Sequence, residues 1–582
     1  MKIRCPVFDA YRPACTLARG TPVRRVLAWG ALTLGLCACV GQPPAEKSTP
    51  DAITEALRDH VKTIVVIYAE NRAFDNLFGR FPGARGLGEV LGTDGRALPA
   101  YHPQLDRDGS VLPQLPPTWN GVTAPGFTPV ISEAQSRGLP NVPFAIEAAF
   151  TASSGEHLSV DSVTRDLNHR FFENQMQIDG GKNDQFAAWS DAGGLTMGYY
   201  DYSRSAIYAL AERYVLADNF FQGAFGGSFL NHQYLICACA PVYPDAETAP
   251  AKPSVAVLER DASGGYLPRL KTTVMPAPSA LARAPMFVKS GNLAPPNYFG
   301  DGKSYAVNTM QPPYQPSGNV PASDDIAARY ADPVNATTMP PQSNLTIGDL
   351  LVARRVSWAW YSGSWNAALA DSARKDEASH KVIYAPETPG GDPDFQPHHQ
   401  PFNYYLGFDP LTHQAERRMH LKDYEDFQRD IAAGRLPQVV FYKPQGNLNQ
   451  HPGYATIAAG DAHLAQIVAR LQAGPQWPHM VIVITYDEFG GAWDHLAPPV
   501  GDLLGPGTRI PALIISPYAK RHFVDHTQYD TGSTMRLVTR RFGLDLLPGL
   551  ARRDAALISH GGVAMGDLTQ ALDFSAQARS RN

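Results

Sequence analysis

Short runs of consecutive apolar residues, each closed by a polar or glycine-rich turn, alternate along this chain with stretches of helical spacing. The clearest runs cover 62–68, 215–221, 356–361, 438–442, 480–484 and 510–516. Unbroken apolarity is what a parallel strand covered on both faces requires. Helical spacing is read over 201–214, from Phe229 onward, and over 346–353, 422–434, 460–473 and 533–542. A further helical region is expected from about Ser162, containing 166–169 and then 185–189. Strands alternating with helices predict an α/β fold around a mostly parallel sheet.

Periodicity fades over 85–150 and over 243–345, where Pro, Gly, Ala and Ser take its place. The first stretch reads as long surface loops, the second as an insertion fit to be a substrate-selecting lobe or lid. The front reads as targeting: Arg24-Arg25, an apolar run over 26–36, then Cys37-Ala-Cys39. That is a positive region, a short hydrophobic region and a small residue before a cleavage point. Two readings fit it, a cleaved signal peptide or a lipobox that makes Cys39 the acylated first residue and so attaches the chain to a membrane. Either predicts an exported protein, periplasmic, outer-membrane-anchored or secreted. The expected order is a leader over 1–39, a tether over 40–60, the first half of a catalytic domain over 61–242, the insertion over 243–345, the second half over 346–562, and a mobile tail over 563–582.

With 50 basic and 55 acidic residues in 582, the net charge is −5. No basic field argues for nucleic acid. In the body, Cys237 and Cys239 stand in an apolar run. One residue apart, they are too close for a relaxed disulfide, and they are expected to be buried thiols.

The polar residues that close the apolar runs carry the chemistry. Glu70-Asn71, Ser228, His451 and Asp487-Glu488 each lie just past the carboxyl end of a predicted strand. In a parallel sheet such positions converge on one edge, where ligands bind. Three carboxylates and an amide oxygen make a hard-oxygen site for one divalent cation. A serine hydroxyl beside such a cation is a candidate nucleophile, and the turn 223–228 with three glycines would let Ser228 stand clear at a helix start. His169, His398, His399 and His451 are candidates to bind phosphate oxygens or protonate a leaving alkoxide, with His232 and His495 as weaker ones.

Residues 65–79, VVIYAENRAFDNLFG, resemble the opening signature of the bacterial phosphoesterase family that holds phospholipases C and certain acid phosphatases. TYDEFGGAWDHLAPP from Thr485 resembles its second signature, and 507–516 with 524–530 a third. GGSFLNHQYL and QGNLNQHPGY are most similar to the respiratory-burst-inhibiting acid phosphatase branch. The threonine of the phospholipase branch's G-P-T-x-P-N-R setting is absent. Ala73 departs from the usual serine at a position expected to be structural. The resemblance implies an alkaline-phosphatase-like three-layer α/β/α sandwich. It implies that Glu70, Asn71, Ser228, Asp487 and Glu488 hold one metal ion, that Ser228 is the nucleophile of a phosphate monoesterase working through a phosphoserine, and that His169, His398, His399 and His451 bind phosphate or donate protons. A small-molecule phosphoester is the expected partner. The rival readings are a phospholipase C-type phosphodiesterase and a non-catalytic surface lipoprotein.

Overall fold

A computed structural model describes residues 51–375, 380, 382–383 and 394–575. The leader, the first half of the expected tether and the last seven residues lie outside the described residues. Eight strands form one sheet: β1 (Thr63–Ala69), β2 (Val215–Ala217), β3 (Trp358–Ser362), β4 (Leu421–Asp423), β5 (Val439–Lys443), β6 (Met480–Tyr486), β7 (Ala512–Ile515) and β8 (Phe523–Asp525). Their order is β4-β3-β5-β1-β6-β7-β2-β8. Only β7 runs against its neighbours, so the sheet is mostly parallel, as expected.

Every residue of β1 and β6 is buried, so both faces of the sheet's centre are covered. Burying each large apolar side chain there contributes about 1.5–3 kcal/mol, against about 1–2 kcal/mol for ordering one residue's backbone. The register then decides the site. Ile67 lies opposite Tyr442 of β5, and Ala69 opposite Tyr486 of β6, so three polar turns leave the sheet side by side.

Six helices matter for the site: α1 (Ala52–His60), α2 (Phe171–Ile178), α3 (Ala206–Arg213), α4 (Ser228–Cys237), α5 (Ile457–Ala473) and α6 (Gly532–Phe542). α3 packs on α5, and α1 and α4 pack on α6. Tyr68 near the end of β1 donates to Asn231 O in α4 (3.2 Å), which ties the serine-bearing helix to the central strand.

Four expectations are corrected. The helical region expected from Ser162 starts only at Phe171, because the backbone of 162–170 bonds across to other loops: Arg165 N–H donates to Val122 O and Asn168 N–H to Asp191 Oδ1. The second half of the tether is α1, capped by Asp51 and seated through the buried Leu57. The expected tail packs on the body from Met565 to the half-buried Phe574, with Leu568 and Ala571 fully buried. Cys237 and Cys239 form a disulfide. Cys237 ends α4 and Ala238 turns left-handed (φ 49°), which brings the two Cα atoms to 5.2 Å, within the usual span. The insertion shares the main core through Leu270, Leu293, Val307 and Met310.

Candidate active site

Past β1 the chain makes a turn that few residues tolerate. Asn71 is left-handed (φ 57°), a conformation asparagine accepts more readily than most side chains. Its N–H thereby reaches Asp487 Oδ1 (3.1 Å). Gly490 (φ 63°) completes the arrangement from the other loop: a Cβ there would stand 2.3 Å from Asn71 O. The Gly490 N–H binds Glu488 Oε2 (2.6 Å), leaving Glu488 Oε1 directed at Ser228 Oγ (3.5 Å).

Ser228 is the first residue of α4, a helix buried along its whole length. Asn231, one turn on, clamps the glycine turn by accepting from Ala224 N–H (2.9 Å) and donating to Gly227 O (3.1 Å). The Ser228 hydroxyl donates to Asn71 Oδ1 at 3.4 Å. His451 sets that amide's orientation. Its Nδ1–H donates to Pro452 O, so its Nε2 is free to accept from Asn71 Nδ2 (3.0 Å). Tyr454 stacks on His451 with ring centroids 4.4 Å apart.

Glu70 is enclosed by His399 Nε2 (2.7 Å), Lys443 Nζ (2.5 Å) and His451 Nε2 (3.6 Å). Of the three only Lys443 brings a charge, all three contacts lie outside hydrogen-bond directions, and both Glu70 oxygens and Asp487 Oδ2 are buried without a hydrogen bond. Buried acceptors in that state are unfavourable unless a cation or proton meets them. Glu70 and Asp487, with His232, present ligand atoms within 4.8 Å of one another. The oxygens of Asn71, Glu488 and Ser228 adjoin them, and the set fits a hard divalent cation.

The charges follow from this crowding. Burial pushes Glu70 upward, but Lys443 and His399 hold it well below the usual carboxylate range. Burial and then Glu70 raise Asp487, while burial and Asp487 raise Glu488 against the pull of His169. Burial holds His398, His399 and His451 below the ordinary histidine value, His399 at about 4. His169 differs: burial opposes its charge, but Glu488 and Asp166 overcome it and raise the ring to about 9. Its Nδ1–H donates to Leu167 O (2.6 Å), and its Nε2 lies 3.6 Å from Glu488.

Glu70, His169, Ser228, His398 and His451 open on a cavity of about 520 Å³, whose outer wall includes Asn120, Arg165, Thr309, Gln396 and Tyr454. Two larger hollows, beside Arg536 and Arg540 and beside the disulfide, hold none of these side chains. His399 stands behind Glu70, away from the cavity wall. His232 donates from Nδ1 to Ser228 O (2.8 Å), a bond within α4. His495 lies in a separate buried network with Asp75 (2.6 Å) and Arg509. Lys443 was not singled out from sequence, though a lysine closing an apolar strand and fully buried is a signal that it faces a carboxylate.

The chain matches the Phosphoesterase family over residues 61–545. Phospholipase C B of Mycobacterium tuberculosis is 30% identical over 176 residues, covering 26% of this chain and 32% of its own length. Non-hemolytic phospholipase C of Pseudomonas aeruginosa is 27% identical over 180 residues, 25% of each chain. Non-specific phospholipase C1 of Arabidopsis thaliana is 30% identical over 161 residues, 22% of this chain and 30% of its own. The matched stretch spans about a third or less of these relatives. Among solved structures, a protein in the alkaline phosphatase superfamily from Vibrio parahaemolyticus aligns at 13% identity over 36% of this chain and 50% of its own, with a TM-score of 0.21. That last likeness is too low to carry any reading.

Proposed function

Because the chain belongs to the Phosphoesterase family, we propose that it is an exported, metal-dependent hydrolase of phosphate monoesters with Ser228 as its nucleophile. The observation that carries this is the placement of Ser228 Oγ at the start of a buried helix, 3.4 Å from Asn71 Oδ1 and 3.5 Å from Glu488 Oε1, facing the histidine-lined cavity. Glu70, Asn71, Ser228, Asp487 and Glu488 would hold one divalent cation. Such an ion, when bound, lowers the pKa of a coordinated hydroxyl and offsets charge on a phosphoryl oxygen.

The chain's own residues supply the rest. Ser228 Oγ gives its proton to Glu488 Oε1, 3.5 Å away, and bonds to phosphorus as the ester oxygen leaves, with the N–H groups of the α4 N-terminus beside the phosphoryl oxygens. His169, the ring that favours its charged form, gives its proton to the leaving alkoxide. His398, neutral and on the wall, donates to a phosphoryl oxygen. His451 keeps the Asn71 amide oxygen turned toward Ser228, and His399 fixes Glu70. Water then cleaves the phosphoserine, releasing phosphate and restoring Ser228.

The relatives named phospholipase C support a second reading, a phosphodiesterase acting on phospholipids. The purified chain should turn over an aryl phosphate at least about tenfold faster than it cleaves phosphatidylcholine, roughly the discrimination one leaving-group contact supplies. Lipid cleavage with little monoester turnover would transfer the protein to the phosphodiesterase reading. Elemental analysis should find about one divalent ion per chain, removable by a chelator with loss of turnover. A metal-free preparation that remains active would defeat the cation assignment.

Gly490→Ala tests the backbone contact between the two acidic loops. A methyl group 2.3 Å from Asn71 O forces that turn to move. Misplacement on the order of 1 Å is expected to lower kcat about a hundredfold. Unchanged kcat would show that the loops' spacing is not what aligns Asn71.

A further inference from the structure

Arg72 follows Asn71 and is buried, yet the proposed reaction does not use it. Among the described residues its side-chain partners are all neutral. Nε–H and Nη2–H both donate to Gln450 O, at 3.2 and 2.7 Å, and Nη1–H donates to Asn76 Oδ1 (3.4 Å). The guanidinium also lies over the Tyr200 ring, 5.8 Å from its centroid. Burial pulls its pKa below the ordinary arginine value, with Tyr200, Tyr486 and Tyr202 opposing. A buried charge with no counter-ion costs folding free energy, so stability does not account for a cation at this place.

The carbonyl it grips belongs to a residue in an unfavourable conformation. Gln450 is left-handed (φ 78°), a region few side chains adopt, and it immediately precedes His451. Two N–H groups of one planar fork converge on its oxygen, a grip that a single ammonium does not reproduce. The Gln450 side chain is fixed as well. Tyr486 donates to its Oε1 (2.6 Å), and its Nε2 donates to Tyr202 (3.3 Å), whose hydroxyl donates to Asp461 of α5 (2.6 Å).

Arg72 also joins the loops that supply the site. Its backbone N–H donates to Glu488 O (3.0 Å), and the Glu70 N–H donates to Asn449 O (3.0 Å). Through backbone and side chain together, Arg72 touches both the 487–490 loop and the 449–451 loop. Beyond Gln450, the His451 N–H donates to Asn449 Oδ1 (2.9 Å). His451 Nε2 accepts from Asn71 Nδ2 (3.0 Å), which turns Asn71 Oδ1 toward Ser228 Oγ (3.4 Å). Releasing the Gln450 carbonyl would let that residue leave its left-handed turn and carry the His451 ring with it.

We propose that Arg72 is a positioning residue: its grip on Gln450 O holds His451 against the Asn71 amide and so sets where Asn71 Oδ1 stands relative to Ser228 and the proposed cation. This rests on the reading of Ser228 as a nucleophile beside a metal-binding Asn71.

Arg72→Met and Arg72→Lys test it in the full chain, on whichever phosphoester the parent turns over. Arg72→Met should lower kcat about tenfold to a hundredfold, with KM within about threefold of the parent's, the loss expected when a group that orients a metal ligand is removed. Its dissociation constant for manganese(II), measured by equilibrium dialysis, should weaken about tenfold. Arg72→Lys keeps one donor on the carbonyl and should fall between the parent and Arg72→Met. The unfolding temperature should stay within about 5 °C of the parent's, because losing a buried charge offsets losing its contacts. A merely structural residue would lower the unfolding temperature and leave kcat per folded molecule and manganese affinity alone. Tyr486→Phe removes the bond to Gln450 Oε1 and no charge, and it decides the matter if the arginine variants do not fold: kcat should drop at least about threefold with KM unchanged. A folded Arg72→Met with the parent's kcat and manganese affinity, a loss confined to KM, or an Arg72→Lys no better than Arg72→Met would overturn the proposal. In their absence, so would a Tyr486→Phe that behaves as the parent does. Ser228→Ala assayed beside them keeps this apart from the reading it rests on. Turnover lost there but kept in folded Arg72→Met defeats the positioning role alone, and turnover surviving in Ser228→Ala defeats the nucleophile it serves.

Discussion

Ser228→Ala should lose at least about a thousandfold in kcat toward an aryl phosphate while the protein stays folded, since removing a nucleophile that acts in covalent catalysis is among the largest single losses known. The stability side of this prediction comes from geometry. The Ser228 hydroxyl makes only long contacts, 3.4 and 3.5 Å, so its removal should cost less than about 1 kcal/mol. The hydroxyl is also a candidate ligand, so metal content must be measured on the same sample. Metal retained with turnover lost isolates the nucleophile. Turnover that survives in the variant removes the covalent mechanism, whichever substrate proves better.

The second large effect concerns folding. Arg509 is fully buried and binds Asp494 Oδ1 (2.9 Å), Asp75 Oδ1 (3.1 Å) and the carbonyls of Arg85 and Asp218. Arg509→Leu would leave two buried carboxylates with backbone N–H donors from Asp75, His495 and Leu496 and, for a cation, only His495. Breaking such a network costs about 3–5 kcal/mol, expected as a lowered denaturation midpoint. The pH dependence carries a sign. Burial, then Asp75, pushes Asp494 up to about 6 even though Arg509 pulls the other way. A raised carboxyl contributes stability that is present below its unfolded value and lost as pH rises through the folded one. Without Arg509 that rise would be larger, so the variant's deficit should be greater at pH 8 than at pH 5. A deficit that does not change with pH would mean that lost packing, not unpaired charge, is the cause.

This network also explains why His495 reads ambiguously in sequence. It stands in the same motif as Asp487 and Glu488, yet the Gly-Gly turn carries it to the opposite side of the loop. There the three family-like motifs meet through Asp75, Asp494 and Arg509. Motif membership marked all of these residues alike. Only the fold separates those that face the cavity from those that hold the loops together.

The α/β class, the strands that became β1, β3, β5, β6 and β7, and the polar turns that close β1 and β6 were all legible in the chain. The reason is local: unbroken apolar runs bury on both faces, and what ends them must lie at the sheet's edge. Local pattern misled where backbone bonding was not local. The 162–170 segment resembles a helix but spends its N–H groups on other loops. The Cys237–Cys239 pair needed the left-handed Ala238, and the end of the chain packs through contacts that its own composition does not announce. The division among the histidines was likewise settled by tertiary structure. His169, His398, His399 and His451 are alike as residue types. Burial and neighbours keep three of them neutral, two carboxylates charge His169, and His399 is set behind Glu70 beside a lysine that no motif marked. The amino-acid sequence by itself determined which side chains reach this edge of the sheet. Which of them carry charge, face the cavity or serve only to orient another depends on distances of 3–4 Å between segments hundreds of residues apart, and packing alone sets those.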